Sequence, residues 1–125
     1  METDPVVINK SLSDFNGDDK AQQLRQYILN DAKQFATNRL MIPWGDDFYY
    51  SNAHLTYHSL DNIISYFNQK YDDITLVQST PSEYIDAIKD LDFTWPVRYD
   101  DMMPLADSED DYWTGYFTSR ALSKR

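Results

Sequence analysis

The sequence predicts an α/β fold in which helices cross over between parallel strands. Three amphipathic helical patterns alternate with short aliphatic or β-branched runs, in the order helix, strand, helix, strand, helix. This alternation is typical of parallel strands joined by crossover helices. The chain has 125 residues, of which 42% are hydrophobic and 15% aromatic, so it contains enough apolar material for the core of about one small domain.

Each predicted helix is recognised by its apolar spacing or by its start signal. The first runs from Lys20 to about Thr37, and its apolar face consists of Leu24, Tyr27, Ile28, Ala32 and Phe35. The second has an apolar face made of Leu60, Ile63, Ile64 and Phe67. The third is predicted to begin at a capping box, with Thr80 as the N-cap, Pro81 at the first helical position and Glu83 closing the box.

Three short apolar runs are predicted as buried strands: 40–42, which Pro43 halts, then 74–77, and then the weaker 94–97. Two or three strands do not close a sheet, and both faces of a parallel sheet must be covered. We therefore expect unpaired strand edges and a larger parent fold. An acidic loop over 100–111 follows, and the stretch 113–120 is read as the opening of a final helix.

Charge and composition exclude several classes of function. The formal net charge of −10 repels phosphate backbones and anionic lipids, so neither nucleic acid nor a membrane is predicted as a partner. With no cysteine, the chain can form neither disulfides nor thiolate metal sites. No apolar run approaches a membrane span, and we expect no targeting signal within the chain. Asn9-Lys10-Ser11 is an N-glycosylation sequon, which is relevant only in the secretory pathway.

The most suggestive candidate site is Asp46-Asp47, directly after the first predicted strand. Ligands of α/β folds bind outside the carboxyl ends of the strands. Aromatic neighbours there would raise a carboxyl pKa by desolvation and suit it to general acid catalysis; these neighbours are Trp44, Phe48, Tyr49 and Tyr50. The alternative is that Gly45-Asp46-Asp47 is only a turn whose side chains bond to nearby backbone amides.

Three further clusters have both a functional and a structural interpretation. His54 and His58 have the spacing of paired zinc ligands, but the glutamate of the zinc-protease motif is replaced by Leu55, which favours a structural role. The acidic residues of 100–111 fit no calcium loop, which favours a solvated surface. A sugar platform or a packed core would both account for the aromatics around Gly115, namely Trp113, Tyr116 and Phe117.

Three longer blocks carry a specific resemblance: PWGDDFYYSNAH at 43–54, STPSEYIDAIK at 79–89 and YWTGYFTSR at 112–120. In this order and spacing they resemble the glycoside hydrolase family 38 α-mannosidases of lysosomes and vacuoles. The stretch 94–107 is also similar, although Met102 and Met103 stand where the family usually has aromatics. Ala121 replaces a family proline.

The resemblance implies a partial, (β/α) barrel-like parallel sheet whose C-terminal end enters a helical bundle. Residues 1–112 would be the later part of the family-38 catalytic α/β domain, and 113–125 the start of the following helical region. It also implies that Asp47 is the acid/base carboxylate, Asp46 its supporting neighbour, and Trp113 an aromatic wall of the mannose site. The family's zinc ligands and its nucleophile have no counterpart here, so zinc is expected only in the full-length parent and no metal ligand is assigned.

The resemblance therefore implies an internal fragment of a retaining, zinc-dependent α-mannosidase that removes terminal α-linked mannose from glycans and is inactive alone. Its expected partners are mannose-containing glycans and the remainder of the parent polypeptide. The expected location is the lysosome, the vacuole or another part of the secretory pathway. The alternative is a non-catalytic carbohydrate-binding or interaction module derived from such an enzyme.

Overall fold

The structure is a computed structural model that describes residues 5–100, 105–113, 115 and 119–124. The chain divides into two compact units, Met1–Leu91 and Asp92–Arg125. The first unit contains helix α1 (Gly17–Asp31), a 3₁₀ turn (Ala32–Gln34), helix α2 (Ala53–Lys70) and helix α3 (Pro81–Ile88). The second contains strand β1 (Ala106–Ser108), strand β2 (Asp111–Tyr112) and helix α4 (Ala121–Lys124).

The core of the first unit lies between α1 and α2. It consists of Val6 and of residues at helical spacing, which are Ala21, Leu24 and Ile28 from α1 and Ile63 and Phe67 from α2. The two predicted apolar faces therefore do meet. Tyr27 and Phe35 were predicted in the first face but are 47% and 37% exposed. Phe35 lies beyond the α-helix, which ends at Asp31 and is followed by the 3₁₀ turn.

The third helix begins as its sequence predicts. The Thr80 side chain accepts a hydrogen bond from the Glu83 amide at 3.3 Å, and the Glu83 carboxylate accepts one from the Thr80 amide at 2.8 Å. Pro81 occupies the first turn, where its missing N–H leaves no intrahelical bond unmade. The capping box is therefore confirmed.

The predicted parallel, barrel-like sheet is wrong for this structure. Within the described residues the sheet is a two-stranded antiparallel hairpin, in which β1 pairs with β2, and helix is the main secondary structure. The runs 40–42, 74–77 and 94–97 form no strand, and the crossover arrangement is therefore not formed either. The prediction of an acidic loop over 100–111 also changes, because all of this hairpin except Tyr112 lies within it, and the hairpin turns at Asp110, whose φ is 61°.

The physical reason for this difference is visible at the extended segments of the first unit. Alternate residues pack against the core as they would in a strand, namely Ile8, Ile42, Trp44, Ile74 and Leu76. Their backbone groups, however, bond to helix side chains. The Asn68 amide of α2 bonds to both the N–H and the C=O of Leu76, at 2.8 Å each, and Asn62 donates to the Val6 carbonyl at 2.9 Å. A ladder needs neighbouring strands, and the part of the chain that the structure describes places none beside these segments.

Three smaller features bear on the sequence predictions. Asn9 of the sequon is exposed, and its side-chain amide oxygen accepts a hydrogen bond from the Ser11 hydroxyl at 2.7 Å; glycosylation stays a prediction. Helix α4 follows the stretch 113–120. No helix within the described ranges is both long and apolar enough to cross a membrane. The predicted domain boundary at 112 stays a prediction.

Candidate functional site

The candidate site is the turn that carries Asp46 and Asp47, in the first unit. It follows the extended segment in which Ile42 and Trp44 pack against the α1–α2 core, and it leads into α2. The turn is therefore attached to the core on its N-terminal side. On its C-terminal side, the buried Thr56 hydroxyl of α2 donates to the Tyr49 carbonyl at 2.7 Å.

Gly45 is required at the start of this turn for two reasons. Its φ is 144°, a backbone conformation that residues with a Cβ rarely adopt. A Cβ built at this position would also lie only 2.8 Å from the Tyr50 ring. The ring is held there because its hydroxyl donates to the Trp44 carbonyl at 2.8 Å.

The two carboxylates have different environments. Asp46 bonds within the turn, since its side chain accepts from the Asp47 amide at 2.7 Å and its backbone carbonyl accepts from the Tyr49 amide at 3.1 Å. The Asp47 side chain is exposed and makes no hydrogen bond or ion pair with the part of the chain that the structure describes. Asp47 is therefore the carboxylate available to an incoming group.

The aromatic neighbours of the two aspartates point in different directions. Trp44 packs against the core, Tyr50 packs on Gly45, and Phe48 is 89% exposed with a φ of 58°. The expected apolar shield over the carboxylates is therefore not formed by these residues alone. The turn interpretation and the functional interpretation of Gly45-Asp46-Asp47 are compatible, because Asp46 makes the turn bond while Asp47 is left open.

Trp113 belongs to the second unit, where it follows β2. The residue is 46% exposed, and its backbone amide donates to the Leu105 carbonyl at 2.9 Å. Tyr116 and Phe117, the other members of the predicted aromatic patch, lie outside the described residues. The assignment of Trp113 to a mannose site stays a prediction.

His54 and His58 lie on α2 with their rings stacked at 6.5 Å between centroids, and the His58 Nε2 is 3.4 Å from the Asn62 amide nitrogen. Among the described residues, neither ring meets a carboxylate that would complete a metal site. Across the described ranges, no three side chains of the ligating types come together in a possible metal site. The residues described here thus do not fit a complete zinc site.

Two contributors to the site were not identified from the sequence. Thr56 was not considered, and Tyr50 was considered only as an apolar neighbour of the aspartates, although its hydroxyl bonds to the chain on their N-terminal side. The sequence carries no local signal for the Tyr50 bond, because the bond depends on the geometry of the turn. No local signal identifies Thr56, since its partner is fixed only when the turn packs on α2.

Comparison with known proteins assigns the family. Residues 4–108 match the glycosyl hydrolases family 38 N-terminal domain. The chain is 43% identical over 123 residues to a lysosomal α-mannosidase of Dictyostelium discoideum, and 36% identical over 116 residues to an α-mannosidase of Canavalia ensiformis. It is 34% identical over 128 residues to the human lysosomal α-mannosidase. These alignments cover 97%, 93% and 97% of this chain but 12% of each relative, so the chain spans about an eighth of their length. Because the match to the family domain covers most of the residues of this chain, the chain belongs to glycosyl hydrolase family 38.

Proposed function

We propose that this chain is a segment of a retaining, zinc-dependent α-mannosidase that hydrolyses terminal α-linked mannose, and that Asp47 supplies the acid/base carboxylate of that enzyme. The observation that carries the proposal is the environment of the two aspartates. Asp46 bonds within the turn, while the Asp47 carboxylate is exposed and is bonded to none of the described residues, in a segment of family-38 sequence.

In this mechanism Asp47 donates a proton to the glycosidic oxygen as the bond to the sugar breaks. A second carboxylate, supplied from outside this chain, attacks the anomeric carbon from the opposite face and forms a glycosyl–enzyme intermediate. Asp47 then removes a proton from the water that hydrolyses the intermediate. Such retaining enzymes hold their two carboxyl groups about 5–5.5 Å apart, so the parent enzyme must place the nucleophile close to this turn.

Asp46 has a supporting role in this proposal. Its carboxylate accepts the hydrogen bond from the Asp47 amide and so fixes the backbone from which the Asp47 side chain projects. Trp113 is proposed as an aromatic wall of the mannose site, because the partly apolar faces of sugars pack well on aromatic rings. The apolar shield that the turn lacks would come from the remainder of the parent.

Zinc, if bound by the parent enzyme, would need ligands that the described residues do not bring together. The proposed partners are mannose-containing glycans and the rest of the parent polypeptide. Since two of the relatives compared are lysosomal α-mannosidases, a lysosomal or vacuolar location is part of the proposal.

The test is a hybrid enzyme, in which this chain replaces the aligned segment of the Dictyostelium lysosomal α-mannosidase. Hydrolysis of a mannose disaccharide is compared with hydrolysis of an activated aryl mannoside, whose leaving group needs little protonation. Removal of a general acid costs roughly 100- to 10,000-fold, so Asp47→Asn should lose this much on the disaccharide and far less on the aryl mannoside. Asp46→Asn should show a smaller difference between the two substrates.

Asp72→Asn is the matched control, because Asp72 is an exposed aspartate of the same unit. It should leave both rates unchanged. Equal losses on both substrates for Asp47→Asn would remove the acid/base assignment. A folded hybrid that binds mannose without hydrolysing either substrate would instead favour the non-catalytic, carbohydrate-binding alternative.

A further inference from the structure

Tyr50 closes the turn that contains both aspartates. Its hydroxyl donates a hydrogen bond to the Trp44 carbonyl at 2.8 Å, and Asp46 and Asp47 lie between these two residues in the sequence. Its ring lies on Gly45, where a Cβ would be 2.8 Å from the nearest ring carbon. One side chain therefore fixes the backbone immediately before the two carboxylates.

The Tyr50 ring is itself held by other aromatic rings. Its centroid is 5.7 Å from that of Tyr49 and 5.4 Å from that of Tyr57, which belongs to α2. Such edge and tilted contacts are favourable ring geometries. Together with the Thr56 bond to Tyr49, they connect the turn to the first turns of α2.

The turn is held against its own backbone preferences. Phe48 has a φ of 58°, which is costly for a residue with a Cβ, and its side chain is 89% exposed and gains little packing in return. Such conformations persist only when the surrounding contacts determine them, and they are concentrated at functional sites. The contacts made by Tyr49 and Tyr50 are the ones that flank Phe48.

The Tyr50 hydroxyl stays protonated, and so remains a hydrogen-bond donor, over a wide pH range. Partial desolvation by its neighbours, with a smaller contribution from Tyr57 and Tyr49, raises the pKa of Tyr50 above its ordinary value, although the residue is 38% exposed. The group therefore keeps its proton throughout the pH range in which a carboxylic acid cycles between its two forms. The bond to Trp44 is preserved while Asp47 gains and loses a proton.

We propose that Tyr50 is a positioning residue for Asp47: its bond to the Trp44 carbonyl and its packing on Gly45 hold the turn so that the Asp47 carboxyl meets the leaving oxygen. This inference rests on the proposed function of Asp47. Tyr50 touches neither substrate nor reacting atoms in this role. It acts through the backbone of the turn alone.

The test uses the hybrid enzyme with Tyr50→Phe, which keeps the ring and removes only the hydroxyl. Tyr57→Phe is the matched control, because Tyr57 is a neighbouring ring whose hydroxyl makes no hydrogen bond with any residue that the structure describes. The readout is the ratio of kcat/KM for the mannose disaccharide to kcat/KM for the activated aryl mannoside. This ratio does not depend on the fraction of enzyme that is folded, since both rates come from the same molecules.

Tyr50→Phe should lower the ratio about tenfold, well below the loss expected for removing the general acid itself. It should also shift the alkaline limb of the pH–rate profile for the disaccharide, while Tyr57→Phe changes neither. An unchanged ratio for Tyr50→Phe, or an equal change for Tyr57→Phe, would overturn the positioning role while leaving the role of Asp47 intact. If the folded, unsubstituted hybrid hydrolyses neither substrate, the proposed function fails and this inference fails with it.

Discussion

Phe67→Ala should remove most of the stability of the first unit. Phe67 is fully buried in the α1–α2 core, and its ring lies 4.9 Å from that of Tyr71. Burial of a phenylalanine side chain contributes about 1.5–3 kcal/mol, and the cavity left by truncation raises the total cost to about 3–5 kcal/mol. A unit of this size has a margin of only about 5–14 kcal/mol even when its apolar surface is fully covered. Val77 is 73% exposed and Leu55 is 61% exposed, so we expect the actual margin to be at the low end.

The assay is urea unfolding of the chain, followed by far-ultraviolet circular dichroism at 25 °C. The unsubstituted chain should unfold at low urea, and Phe67→Ala should be largely unfolded without urea. Leu55→Ala lies on the same helix and is the control; an exposed substitution of this kind should change the free energy of unfolding by less than about 0.5 kcal/mol. If Phe67→Ala costs no more than Leu55→Ala, the assignment of the core to the α1–α2 interface is refuted.

Three further predictions concern the turn, the third helix and the response to acid. Gly45→Ala should lower disaccharide hydrolysis by the hybrid enzyme, because the new Cβ meets the Tyr50 ring and the φ of 144° is strained; wild-type kinetics would contradict the turn geometry. Thr80→Ala should destabilise the chain by about 1 kcal/mol through loss of the N-cap, and a urea midpoint equal to that of Ser82→Ala, which lies outside the capping box, would rule this out. Hydrogen bonds from Lys70 and then Tyr66 lower the pKa of Asp18. The ionised Asp18 therefore contributes fully to the free energy of unfolding above the ordinary aspartate pKa of about 3.9, and this contribution is lost as the pH falls through the lower pKa of the folded state. The urea midpoint should therefore fall on acidification, and Asp18→Asn should flatten that fall; an identical pH dependence for the variant would refute the link.

The helices could be predicted because their signals are local. The spacing of Leu24 and Ile28, and of Ile63 and Phe67, places each pair on one face, and that face packs in the core whatever the rest of the chain does. The capping box at Thr80 needs only residues three apart in sequence. The end of α1 was harder to place, because Tyr27 and Phe35 continue the apolar spacing without being buried.

The strands could not be predicted in the same way, because a strand is defined by its partner. The runs 40–42 and 74–77 have strand-like composition, but whether a ladder forms depends on neighbours that composition does not specify. At the candidate site, the sequence located Asp46 and Asp47 and the turn around them. The sequence does not predict that Asp46 bonds within the turn while Asp47 does not, nor that the Tyr50 hydroxyl bonds to the Trp44 carbonyl. Both features depend on turn geometry that no local pattern encodes.

The double hydrogen bond between the Asn68 side chain and Leu76 sets the register of the run 74–77. Side chains of an extended segment alternate between its two sides, so a slip of one residue would turn Ile74 and Leu76 out of the core and bring Thr75 and Val77 in. In a sheet, adjacent strands prevent such slippage. Here an exposed amide on α2 does so by recognising the N–H and the C=O of one residue, and Gln78 adds a hydrogen bond to Asp61 of the same helix at 2.6 Å. Within the described residues, side chains of a helix thus take the place of an adjacent strand in keeping the apolar side of this segment against the core.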